Sequence, residues 1–433
     1  MTKSKLSRRK FIAQTSVATM GLSAMAGTSF AFSIPRNDKV RLGFVGTGKQ
    51  GFILLNYLMK CPETVVVGCS DVVEFNRNNF KKDAEKLNAD KFGTAQEVKI
   101  HPDFRDLLSS SDIDAVVIAT PDHWHAYIAV EAAKAGKDIY CEKPLAATVV
   151  EGRAMVDATR KYKRVFQTGN MQRSWNEFRQ ACELVRNGYI GEVKEVKVNI
   201  GKPSRLFDIE VQEIPEGIDW NMWVGPAEYR GYNDILAPMY QEGEDFRYPD
   251  WRVYRPYGGG DITDWGAHMF DIAQWGIGMD GSAPVKYIPP KDPSAVYGMK
   301  MIYDNGIVMT HEDWGKSNAV RFIGTKGTVD IGRGYLKTSP ESLAEQKIKD
   351  SDIRLEYSDN HYQNWIDAIK ERKRPICDVE IGHSTSALCN VVNIAYQLGR
   401  ELEWNPKKEK FINDDGANQL LGRPFRGEWK LEV

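Results

Sequence analysis

Apolar residues crowd the stretch from Lys39 to Val45 (Val40, Leu42, Phe44, Val45), and the run stops at Gly46-Thr47-Gly48-Lys49-Gln50-Gly51. Beyond it Phe52, Leu54, Leu55, Leu58 and Met59 recur at helical spacing. A short continuous apolar run followed by a helical period predicts a buried strand, a tight turn and a helix. The pattern repeats. Val65–Ser70 is a second apolar run, ending at Asp71, and Asp114–Thr120 is a third. A helical segment follows with Ile128, Val130, Ala132 and Ala133, and then a fourth run, Lys137–Cys141. Strands alternating with helices predict a parallel, doubly wound sheet.

From about residue 156 the period changes. Gly191–Ile200, Gly298–Tyr303 and Gly306–Thr310 alternate apolar with polar, as strands with one buried face do. Asp304-Asn305-Gly306 supplies hairpin turn residues. This half therefore predicts a large, mostly antiparallel sheet. Residues 361–400 read as two helices with core-facing stripes, one through Trp365, Ile366, Ala368 and Ile369, the other through Leu388, Val391, Val392, Ile394 and Ala395. The fold class expected is α/β plus α+β.

A chain of 433 residues is too long for one core, so two domains are the natural expectation. A net charge of −1 offers no electrostatic reason for a nucleic acid or an anionic membrane as partner. The six cysteines contain no C-x-x-C pair, and Cys69 and Cys141 fall inside apolar runs, so buried thiols are expected rather than a disulfide framework. At the N-terminus, Arg8-Arg9 precedes a mildly apolar stretch and then small residues at Ser29, Ala31 and Ser33. That order resembles a twin-arginine export signal and predicts a periplasmic or otherwise exported protein, without a stable membrane anchor. The expected boundaries are 1–35 for the signal, 36–155 for the first domain and 156–433 for the second.

The glycine loop has the G-x-G-x-x-G spacing between a strand and a helix. The first glycine permits the turn, the second lets backbone approach a pyrophosphate, and the third brings helix against strand. Asp71 lies 20 residues after Gly51, where an acid binds ribose hydroxyls and repels a 2′-phosphate, favouring NAD as cofactor. Arg77, close by, leaves NADP open. Ligands of such sheets lie off the strand carboxyl ends, where Thr120, Pro121, Glu142 and Lys143 fall.

Four segments together resemble the Gfo/Idh/MocA oxidoreductase family: the glycine loop, Ala119-Thr120-Pro121-Asp122-His123-Trp124-His125, Glu142-Lys143-Pro144, and Gly258–Asp271 with its Asp264-x-x-x-His268 pair. The resemblance covers nearly all of the chain after the signal. It implies a Rossmann domain followed by an open sheet, a catalytic Lys143 partnered by Asp264 and His268, and a cis Lys143–Pro144 bond. It adds Lys49, Gln50 and His125 to the cofactor set of Gly46, Gly48, Gly51, Asp71, Thr120, Pro121, Glu142 and Lys143. It also places Asn170, Gln172 and Arg173 against the substrate, and makes a homodimer or tetramer the expectation. One departure stands out, since Asp122 and an extra His123 occupy positions where many relatives carry Asn after Thr-Pro.

These residue types suit alcohol oxidation. A histidine can accept the hydroxyl proton, a lysine can hold the developing alkoxide, and the cofactor takes the hydride. His268 is assigned as base and Lys143 as oxygen holder, though the two roles are interchangeable. Asp264 would orient the imidazole or bind a neighbouring hydroxyl. Trp220, Trp223, Tyr248, Trp251, Arg252 and Tyr257 precede this segment and would frame a sugar ring or anchor their loops; Trp251 is the substrate contact singled out. Zinc held by Asp122, His123 and His125, or by Asp264 and His268, is the alternative reading of the polar groups. Three functions fit: a sugar, glycoside or cyclitol dehydrogenase with tightly held NAD, a redox-neutral glycosidase working by oxidation and elimination, and a non-enzymatic ligand-binding protein. Retention of Lys143, Asp264 and His268 argues against the last.

Overall fold

The computed structural model describes residues 39–433; the expected export signal lies outside the described residues. Six strands form the first sheet: β1 (Val40–Val45), β2 (Thr64–Ser70), β3 (Lys99–His101), β4 (Ala115–Ile118), β5 (Asp138–Cys141) and β6 (Phe166–Thr168). They lie in the order β3-β2-β1-β4-β5-β6 with every pairing parallel. The order reverses between β1 and β4, which opens a crevice at their carboxyl ends, where a doubly wound sheet binds its ligand. β6 carries this sheet past the boundary expected at residue 155. Its strand is only three residues long, too short for a periodicity reading to claim it.

Both faces of the first sheet are covered. On one, Ile128, Val130, Met155 and Val156 pack on Val116 and Ile118. On the other, Leu54, Leu55 and Phe80 meet Trp365 and Ile366 of the helix His361–Glu371. The chain thus returns to its first domain after building the second. The apolar stripe read from Trp365 to Ile369 is core, but it is core of the nucleotide domain.

The second sheet has nine strands. They are β7 (Val193–Asn199), β8 (Lys286–Ile288), β9 (Met299–Ile302), β10 (Val308–His311), β11 (Ala319–Gly324), β12 (Thr328–Gly332), β13 (Tyr335–Ser339), β14 (Leu402–Asn405) and β15 (Lys410–Phe411). Their order is β13-β12-β11-β7-β10-β9-β8-β14-β15. Only the β7–β10 pairing is parallel. Val196, Val198, Met309 and Phe322 point from this sheet toward Met269, Phe270 and Ile272 of the helix Gly266–Ile277, which Leu388 and Val392 of the helix Val379–Leu398 cover in turn. Eleven of the twelve residues of Gly266–Ile277 are buried, so its polar positions cannot be an ordinary solvated face. All six cysteines are free and buried. No helix among the described residues is long and apolar enough to cross a membrane.

Candidate functional site

The three glycines of the first loop behave as three different devices. Gly46 has φ +88°, and a Cβ there would stand 2.7 Å from the backbone of Ala119 and Thr120. A Cβ on Gly51 would stand 2.5 Å from the carbonyl oxygen of Gly46. A Cβ on Gly48 would meet nothing within 4 Å. The protein therefore needs the first and third glycines for its own packing and leaves the second open, as a pyrophosphate laid on the helix Lys49–Leu58 requires. Asp71 closes the far end of the same cleft. One carboxylate oxygen accepts from the backbone N–H (2.7 Å) and hydroxyl (3.0 Å) of Thr47, and the other from the N–H of Val73 (2.8 Å). Burial raises its pKa, against the pull of those N–H groups. The oxygen that meets Val73 keeps a lone pair for a ribose hydroxyl. Asp71→Asn is expected to weaken NAD more than NADP, by about tenfold in relative affinity. Fluorescence titration of both nucleotides checks this, and an unchanged ratio contradicts it.

A segment of the second domain crosses this cleft. The Lys49 ammonium donates to the Phe246 carbonyl (2.7 Å), and the Tyr248 hydroxyl donates to the Gln50 side-chain oxygen (3.0 Å). The Gln50 amide donates in turn to Glu142 (2.9 Å), and the rings of Phe52 and Phe246 lie 5.1 Å apart. Lys49 and Gln50 are thus tied to residues about 200 positions away, and the strap covers the glycine loop.

A second cavity adjoins the first, sharing Gln50, Thr120, Tyr248, Trp251 and Arg252 with it. Lys143, Asp264 and His268 meet there. The Lys143 ammonium lies 2.5 Å from an Asp264 carboxylate oxygen and 2.9 Å from the Asp264 backbone carbonyl. Burial pushes the Asp264 carboxyl up, but Lys143 and Arg252 outweigh it and hold it below the usual carboxylate range. The imidazole of His268 has no hydrogen-bond partner among the described residues, and its Nδ1 is buried. Burial, then the Lys143 and Arg333 charges, push it well below its ordinary 6.5, which favours the neutral imidazole. The Lys143–Pro144 bond is cis. His125 sits beneath it with its ring nitrogens 2.8 Å from the Pro144 carbonyl oxygen and 3.0 Å from that of Thr120. Asp122 faces the same cavity, buried and with no side-chain hydrogen bond among the described residues. Burial, with Asp264 adding to it, raises its pKa well above the ordinary value despite Arg252 and Lys143.

Other expected contacts fall elsewhere. Asn170, Gln172 and Arg173 line neither cavity and are all buried; their neighbours Gly169 and Met171 reach the second one. Asn170 donates to the Ala267 carbonyl (2.8 Å). Arg173 forks onto Asp271 (2.7 and 2.8 Å) and onto Asp280 (2.7 and 3.0 Å). A guanidinium only 3% exposed must be paired, and two carboxylates from one side of the core do it. This also removes Asp271 from the cavity, because one further helical turn carries it into the core. Trp220 and Tyr257 belong to an aromatic cluster beneath the loops, and Trp223, Tyr248, Trp251 and Arg252 line the cavities. His123 and Trp124 both point their ring N atoms at the Trp223 carbonyl (3.0 Å each), so His123 serves the junction between domains. Arg333, at the β12–β13 turn, lines the second cavity and was invisible in the sequence, where Gly-Arg-Gly reads as a hairpin tip.

With this geometry in place, comparisons add a lineage. Residues 40–170 match the profile described as the oxidoreductase family NAD-binding Rossmann fold, and residues 200–431 match that of the C-terminal alpha/beta domain of the same Gfo/Idh/MocA family. A glycosyl hydrolase family 109 protein of Shewanella baltica is 30% identical over 206 residues, 43% of this chain and 44% of that protein. Myo-inositol 2-dehydrogenase of Thermotoga maritima is 27% identical over 165 residues, 38% of this chain and 46% of that protein. The matched stretches thus span less than half the length of these curated relatives. The crystal structure of aldose-aldose oxidoreductase from Caulobacter crescentus complexed with glycerol superposes with a TM-score of 0.57 at 19% identity, covering 84% of this chain and 99% of that one; at that identity the likeness is one of fold.

Proposed function

The chain belongs to the Gfo/Idh/MocA oxidoreductase family, and on that premise we propose that it oxidises a ring hydroxyl of a sugar, glycoside or cyclitol to a ketone by hydride transfer to NAD. One observation carries the reading: Lys143, Asp264 and His268 meet in a cavity that shares a wall with the glycine-loop cleft. When bound, NAD supplies the hydride acceptor. The chain's residues do the rest. The Lys143 ammonium holds the alcohol oxygen and stabilises its developing charge. The neutral His268 accepts the hydroxyl proton. Asp264 fixes the lysine's position at 2.5 Å. Because His268 is held well below 6.5, kcat/KM should stay level as pH falls from about 8 to about 6. Protonation then cuts activity only at lower pH; an acid limb centred at the ordinary imidazole value would contradict the assignment.

A second reading rests on Asp122. Oxidation alone needs one base, whereas elimination removes the C–H beside the new ketone and expels an aglycone one carbon further on, which needs a further proton-transfer group. Asp122 is a carboxyl facing the same cavity whose environment pushes its pKa opposite to that of Asp264, the usual sign of divided acid and base roles. Product analysis on a panel of aryl glycosides decides: accumulation of a ketoglycoside two hydrogens lighter supports the dehydrogenase, and free aglycone without net reduced nucleotide supports the glycosidase.

The strap through Phe246 and Tyr248 supports a tightly held cofactor, and residues 1–35 support export after folding has enclosed it. Replacing Arg8 and Arg9 together by lysine is then expected to leave the protein in the cytoplasm. Fractionation and immunoblotting read the result; unchanged export would remove the twin-arginine assignment and leave the catalytic one intact.

A further inference from the structure

Three carboxyls (Asp122, Glu142, Asp264) and three cations (Lys143, Arg252, Arg333) line the second cavity, but they are not all paired with one another. Asp264 is taken by Lys143 at 2.5 Å, with Arg252 3.9 Å away. Glu142 accepts from the Gln50 amide at 2.9 Å and from the backbone N–H of Lys143 at 3.1 Å. Arg333 has no hydrogen bond or ion pair among the described residues. Its guanidinium rests instead against two indoles, 4.7 Å from the Trp265 ring centre and 5.4 Å from that of Trp175. Cation–aromatic contact holds a guanidinium by its face and leaves its in-plane N–H donors free. Those donors match a planar carboxylate in two parallel hydrogen bonds.

Position adds to this. Arg333 lines only the second cavity, whereas Arg252 lines both. Arg333 therefore lies at the part of the cavity that the nucleotide cleft does not share. Its neighbour in contact, Trp265, follows Asp264 directly in the chain and lines the same cavity. Lys143 and His268 likewise line only this cavity, so a substrate whose reacting hydroxyl sits on them would bring another of its substituents to Arg333.

We propose that the sugar taken by this cavity is acidic, a hexuronate or hexuronide whose carboxylate is bound by Arg333. This rests on the reading of the cavity as a sugar site beside NAD, and deepens it by naming the charge of the substrate. Arg333 is a specificity-determining residue in this account. A carboxylate lost from the ligand, or the guanidinium lost from the protein, removes a charge-assisted pair worth roughly ten- to hundredfold in affinity.

The test is calorimetric titration of the NADH-loaded full protein with glucuronate, galacturonate and their methyl glycosides, each beside its neutral hexose counterpart. At least one acid is expected to bind ~10-fold or more tightly than its neutral partner. Arg333→Gln should abolish that ratio, and Arg333→Lys should restore only part of it, because an ammonium lacks the planar fork. Acid and neutral sugars binding alike across the panel, or a preference that survives Arg333→Gln, would overturn the inference. Oxidation of the NAD-loaded protein's bound sugar is read separately by near-ultraviolet absorbance. An Arg333-dependent acid preference without any hydride transfer would uphold the charge assignment and refute the oxidoreductase reading.

Discussion

Replacing Lys143 by alanine is expected to lower kcat by about 10³- to 10⁴-fold while NAD remains bound. The ammonium is the one positive group placed 2.5 Å from Asp264 and facing the same cavity as the His268 imidazole. Without it the alcohol oxygen loses its counter-charge as its proton leaves, and no other donor replaces it at that point. Arg252 lies 3.9 Å from Asp264 and is committed to the Pro249 carbonyl at 3.1 Å and to the faces of Trp251 and Tyr248. The cleft that holds the cofactor does not depend on the lysine side chain, so nucleotide content should be unchanged. Lys143 and Asp264 are largely buried, so losing the lysine leaves a carboxylate uncompensated and should cost the fold on the order of 3 kcal/mol. Turnover within tenfold of the native protein would remove Lys143 from the catalytic group. The companion Asp264→Asn should fall less, by about 10- to 100-fold, since it keeps the shape and loses only the charge that fixes the lysine.

Replacing Gly48 by valine is expected to weaken NAD binding by ~100-fold or more and leave the apo-protein's melting temperature unchanged. The separation of the two effects follows from the geometry. A Cβ on Gly48 meets nothing within 4 Å, and its φ of −75° with ψ of −164° is open to any residue. The side chain would occupy only the space where the loop's backbone must touch a pyrophosphate. Gly46→Ala provides the contrast, because its φ of +88° and the backbone of Ala119 and Thr120 at 2.7 Å make it a folding defect. Nucleotide titration and thermal melts of the two variants should therefore fail in opposite columns. A valine at position 48 that binds NAD normally would show that the loop does not cradle the cofactor.

How much of this was legible in the sequence depends on the range of the interaction. The nucleotide domain is built from local repeats of strand, turn and helix, and its glycines and Asp71 declare themselves by spacing. The antiparallel character of the second sheet was likewise written in alternation along β7, β9 and β10. The pair Asp264 and His268, like Lys143, was found because the motifs around them resemble those of the family. What failed was long-range. Arg173 looked like a substrate contact because the family resemblance places its stretch at the site, yet its partners Asp271 and Asp280 lie about 100 residues on. Arg333 sits in a hairpin whose chemistry is set entirely by Trp175 and Trp265. The strap's grip on Lys49 and Gln50 comes from residues some 200 positions away. In each case the side chain's role is fixed by a partner that no local period connects to it.

The most direct measurement is a single turnover of the NAD-loaded protein with a binding sugar carrying deuterium at its ring carbons. The account predicts a near-ultraviolet rise as the nucleotide is reduced, slowed several-fold by the deuterium, with the label recovered on the nicotinamide. It predicts no rise in Lys143→Ala. Conversion of the sugar with no label ever passing to the nucleotide, or equal rates in the native and Lys143→Ala proteins, would contradict it.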